Sequence, residues 1–82
     1  MFYFDRTMDL LTDLQVYKND FPDTFTKLEE VKEICSNHEN DPVGSVFGVQ
    51  VASDWQDRCY GFEIDRVIGE TTIIRYVGIW KT

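Results

Sequence analysis

Apolar residues recur along the first half of the chain with a helical period. Leu10, Leu14 and Tyr17 fall at i, i+4 and i+7, and Leu11 widens the stripe. The spacing predicts a helix from about Thr7 to Lys18, with Thr7 as N-cap and Asp9 in the first turn, where a carboxylate favours the helix dipole. Asn19-Asp20-Phe21-Pro22-Asp23 breaks it, because proline does not continue a helix and disfavours helical geometry in the residue before it. A second helix is expected from about Thr24 to Asn37. Its apolar face is Phe25, Leu28, Val31 and Cys35 with Ile34 at the edge, and Glu29, Glu30 and Glu33 lie on the other side. Thr26-x-x-Glu29 fits a capping box, and Asp23 competes as the cap.

After the polar, turn-rich stretch Ser36–Pro42 the period changes to two. Phe47, Val49 and Val51 alternate with Val46, Gly48 and Gln50, and Tyr60, Phe62 and Ile64 alternate with Gly61, Glu63 and Asp65. In the last segment Ile74, Tyr76 and Trp80 oppose Ile73, Arg75, Val77 and Ile79. Three strands, joined by Ser53–Asp57 and by a turn around Gly69, read as an antiparallel meander. The last strand is apolar on both faces, which predicts a central position or a sheet covered on both sides. The expected fold is therefore α+β, with two N-terminal amphipathic helices packed on a C-terminal antiparallel sheet of three strands, or of four if Phe2–Asp5 pairs as well. Residues 1–82 are read as a single domain, and no repeat, low-complexity tract or linker divides them.

Charge narrows the function. Fifteen acids against eight bases give a net charge of −7, and long-range repulsion disfavours direct contact with nucleic acid or an anionic membrane surface. A basic protein is the complementary partner, although acidity also serves solubility. No apolar run is long enough to span a bilayer and the N-terminal residues lack the pattern of a secretion signal, so a cytoplasmic setting is expected. Cys35 and Cys59 are then reduced and structural.

Catalytic and metal chemistry find little support in the residues. His38, the single histidine, sits at the expected exit of the second helix, where a cation favours the dipole. Cys35-x-x-His38, completed by Cys59 and an aspartate, is one incomplete ligand pair against the two that structural zinc normally shows. A nucleophilic thiol needs electropositive surroundings, and those here are acidic. Asp54 and Asp57 fall short of a calcium loop and suit turns. No cofactor, metal or enzymatic activity is expected.

Two features suit a binding protein. Trp55 lies in the polar connection between the first two strands, either as a lid folded onto the core or as an interface anchor. Asp5, Asp9 and Asp13 stand four apart opposite the Leu10-Leu14-Tyr17 face, and Glu29 and Glu33 repeat that spacing. An i, i+4 pair spans about 6 Å along a helix, close to the roughly 6.8 Å of two phosphate steps on one DNA strand. The leading expectation is a small acidic inhibitor that blocks a basic nucleic-acid-binding enzyme as a DNA mimic, comparable in size and charge alone to phage anti-defence proteins. Its binding residues would be Asp5, Asp9, Asp13, Glu29, Glu30, Glu33 and Trp55. An immunity protein or antitoxin that grips a basic toxin through Trp55 is the first alternative. The other is an accessory subunit that buries the apolar C-terminal strand against a partner or, as a homodimer, a second copy.

Overall fold

A computed structural model describes residues 1–81; Thr82, the last residue of the expected domain, lies outside them. The elements run β1 (Phe2–Asp5), α1 (Thr7–Asp20), α2 (Leu28–Asn37), β2 (Val46–Ala52), β3 (Trp55–Ile68) and β4 (Thr71–Lys81). The strands form one sheet in the order β1-β4-β3-β2. The α+β class holds, and β1 is the fourth strand, but the sheet is mixed. The antiparallel meander β2-β3-β4 is as expected, whereas β1 runs parallel to β4 with Phe2 opposite Thr72 and Asp5 opposite Arg75. Along those four residues β4 is a central strand, with β1 and β3 at its two edges.

Both helices cover one face of the sheet. Leu10, Leu14 and Tyr17 of α1 and Val31 and Cys35 of α2 meet Phe47, Val49, Val51, Tyr60, Phe62, Ile64, Ile74 and Tyr76 in a single core. Aromatic rings run through it in sequence: Phe4 lies 5.9 Å from Phe62, Phe62 5.5 Å from Tyr76, and Tyr60 5.9 Å from Tyr17. Buried rings of this size supply much of the apolar area that holds a small core together.

Several boundaries shift for identifiable reasons. The N-cap of α1 is Arg6 rather than Thr7. Arg6 adopts left-handed φ of 64°, and the Thr7 hydroxyl donates back to the Phe4 carbonyl at 3.3 Å. The second helix starts at Leu28, four residues later than its periodicity suggests, because Thr24–Lys27 is held against the edge of β2. Thr26 donates its backbone N–H to Val51 O at 2.9 Å and its hydroxyl to Gln50 O, and Ser53 N–H donates to Thr24 O. The expected Thr26–Glu29 box moves one residue on, and Glu30 accepts the Lys27 N–H at 3.4 Å.

A bulge changes the face of the last strand. Phe62 pairs with Tyr76 but Gly61 with Gly78, so Val77 is an extra residue in β4, and Gly78 takes φ of 99°. One inserted residue inverts the alternation beyond it. Ile79 therefore joins Ile74 and Tyr76 on the core side, and Trp80, expected to share their face, turns to the other side.

Candidate functional site

The excess negative charge is segregated onto the helical layer. Residues 7–41 hold nine carboxylates and three lysines, so six of the seven excess charges sit there, while residues 42–82 hold five acids and four bases. On α2, Glu29, Glu30 and Glu33 are exposed, turned away from the buried Val31 and Cys35. Asp9, Asp20 and Asp23 are also exposed. The i, i+4 spacing of Glu29 and Glu33 is thus realised on a solvent-facing helix.

The Asp5-Asp9-Asp13 stripe is not. Asp5 is the last residue of β1, and its carboxylate accepts the Arg6 N–H at 3.0 Å. The left-handed turn at Arg6 separates it from the helix, so only Asp9 and Asp13 share the pitch of α1. Asp13 is half-buried and accepts a hydrogen bond from the Tyr76 hydroxyl. Burial raises the Tyr76 phenol well above its ordinary 10.0, and the hydrogen bond to Asp13 and the carboxylate's charge push the same way. Burial likewise raises Tyr60, with Tyr17 and Asp13 adding to it. Asp9 alone of the three is an exposed, uncommitted helical carboxylate.

Trp55 is the first residue of β3, not part of a loop, because the connection from β2 is the two-residue turn Ser53–Asp54. Asp54 accepts a hydrogen bond from the Thr24 hydroxyl at 2.7 Å and so ties that turn to the segment before α2. The indole packs on Phe21 at 5.2 Å and Tyr17 at 6.1 Å, with the Arg58 guanidinium 5.1 Å above it. Of the two sequence readings, the ring's geometry is that of a lid over the end of α1.

Cys35 and His38 face different tasks. Cys35 is fully buried, and desolvation pushes its thiol up to about 12. Burial also raises Cys59. The His38 ring stacks on Phe47 at 4.1 Å and pairs through Nδ1 with Asp41 at 2.7 Å, a C-terminal clasp on α2. Among the described residues no three His, Cys, Asp or Glu side chains converge on one point.

Three surface features went unseen in the sequence. The sheet face opposite the helices carries Trp80, whose indole lies over Gly61 and near Gly48, beside its cross-strand partner Cys59. The alternation of glycines with Cys59 and Glu63 was a signal for this floor, but the bulge concealed which strand would cover it. A second feature is a cleft of about 490 Å³ between α1 and β4, bounded by Arg6, Asp9, Asp13, Tyr76 and Gly78. The third is an apolar groove of about 580 Å³ between the helices, lined by Leu11, Leu14, Phe25 and Leu28, with Lys18 and Lys27 at its rim. No helix is long and apolar enough to cross a membrane. No protein-family model matches the chain, nor does any curated protein or any solved structure.

Proposed function

We propose that this chain is a small acidic binding protein whose helical layer occupies a basic, nucleic-acid-binding surface of a partner protein and thereby blocks it. The observation that carries the reading is the segregation of charge: six of the seven excess negative charges belong to residues 7–41, with Glu29, Glu30 and Glu33 exposed along α2. A field of one sign on one face steers a basic partner onto that face, where a uniformly acidic surface would not orient it. Glu29 and Glu33 stand about one helical turn apart, roughly 6 Å, near the spacing of alternate phosphates. The role is binding rather than catalysis, in a cytoplasm where both thiols stay reduced.

The test is capture by the immobilised chain of basic nucleic-acid-binding proteins, with salt and duplex DNA as competitors. Retention should fall steeply as salt rises, DNA should displace the partner, and combined Glu29→Gln, Glu30→Gln and Glu33→Gln should slow association. Asp5→Asn should change little, since Asp5 lies off the helical face. Binding that ignores both salt and DNA would sink the proposal.

A second reading, an accessory subunit, draws on the helix-free side and open edge of the sheet, where Tyr3, Val46 and Val77 are exposed. It predicts a salt-insensitive complex that buries those residues.

A further inference from the structure

The outward edge of β4 changes character after Arg75. Up to that point β1 lies beside it; then the chain turns away at Arg6 into α1. Among the described residues, Tyr76–Lys81 pair with β3 alone, and no strand stands where β1 would continue. Backbone N–H and C=O groups along such an edge favour a new strand. The site is a slot rather than a bare edge, because α1 forms a wall bearing Asp9 and Asp13 over the cleft of about 490 Å³.

We infer that this slot receives an extended basic segment of the partner protein, which adds to the sheet as a fifth strand beside Tyr76–Lys81 and sets positive side chains against Asp9 and Asp13. The inference rests on the reading of the partner as a basic protein and specifies how it is held. Alternate side chains of a strand recur every ~6.7 Å, and Asp9 and Asp13 stand one helical turn apart, about 6 Å, so two basic residues in an i, i+2 relation match the two carboxylates. Arg6 stands in the same cleft and disfavours a lysine directly beside it, while the Arg75 guanidinium is already engaged by Glu63. A second copy of this chain is the poorer occupant. It brings its own net charge of −7, and the Val77 bulge twists the edge away from the flat geometry that two whole sheets need, whereas one short strand follows the twist.

The experiment titrates the ¹⁵N-labelled protein with a capped peptide of about six residues alternating lysine and valine, long enough to span the open edge. Resonances of Tyr76–Lys81 and of Asp9 and Asp13 should shift, and the edge amides should exchange more slowly. The same peptide with alternate backbone nitrogens methylated should bind at least ~10-fold more weakly, since it loses the strand hydrogen bonds. Replacing its lysines with glutamates should abolish binding. Asp9→Asn, at an exposed position without a structural hydrogen bond, should weaken the lysine peptide about threefold. Shifts confined to Glu29, Glu30 and Glu33 would overturn the slot and leave the charge-based function standing. No binding of the lysine peptide anywhere would overturn both. Edge amides already protected in the free protein, together with a doubled mass, would assign the slot to a second copy and overturn the inference.

Discussion

The indole of Trp80 lies across Gly61 of the neighbouring strand, so close that a methyl group on Gly61 would stand 2.6 Å from the indole nitrogen. Trp80 is paired with Cys59, so the contact runs diagonally along the helix-free face. Gly61→Ala should therefore displace the ring and cost about 1–3 kcal/mol, the usual range for overpacking. Urea unfolding measures the loss, and tryptophan emission should report the displaced ring. Trp80→Ala should make Gly61→Ala nearly harmless, and a Gly61→Ala cost that persists without the indole would contradict the contact.

The hydrogen bond from Tyr76 to Asp13 predicts an asymmetry. Asp13→Ala leaves a buried phenol without an acceptor, which costs about 1–3 kcal/mol, whereas Tyr76→Phe leaves a half-exposed carboxylate that water can solvate, at about 1 kcal/mol. Equal losses in the two variants would show that the phenol is not desolvated as described.

Cys35 predicts a pH dependence. Its thiol is raised by burial from 9.0 to about 12, so its contribution to stability is fully present below pH 9 and is lost as pH rises toward 12, because the unfolded chain releases the proton first. In that window the group should lower unfolding free energy by about 1.4 kcal/mol per pH unit. Tyr60 and Tyr76, both raised from 10.0, add losses of the same sign from pH 10 upward. Cys35→Ala should flatten the decline between pH 9 and 10, measured by denaturant unfolding. At pH 8 the native Cys35 should resist alkylation, with thiolate about a thousandfold scarcer than for a free thiol.

Trp55→Ala should lower stability by about 2 kcal/mol, because the ring covers Tyr17 and Phe21. Its effect on partner binding should be small once the fraction folded is accounted for. A large loss of affinity in a fully folded variant would restore Trp55 as an anchor.

Period-two alternation was enough to place β2, β3 and β4, and the two-sided apolar pattern of β4 pointed to a central position or a sheet covered on both sides, of which the strand order shows the first over Thr72–Arg75. Local pattern does not encode direction, so the parallel course of β1 was illegible: Phe2–Asp5 reads the same whichever way it pairs. Thr24–Lys27 reads as the first turn of the helix, and its hydrogen bonds with Gln50, Val51 and Ser53 keep it out of α2. The Val77 bulge, an insertion visible only against β3, moved Trp80 to the other face. At the candidate site, Glu29, Glu30 and Glu33 were legible because helical periodicity fixes which face they take. Asp5 and Asp13 were not, since one depends on a left-handed turn at Arg6 and the other on a tyrosine 63 residues away.

The parallel pairing of β1 with β4 has a consequence during synthesis. Phe2 is made seventy positions ahead of its partner Thr72, with both helices and two strands in between. Contacts so distant in sequence close late, and the apolar faces of α1 and α2 have no complete sheet to cover until β4 emerges. A translation product interrupted before Thr71 therefore has no route to a reduced version of the fold. Folded helical layer should accumulate only from chains that carry β4, with those cut short of it left to the proteases.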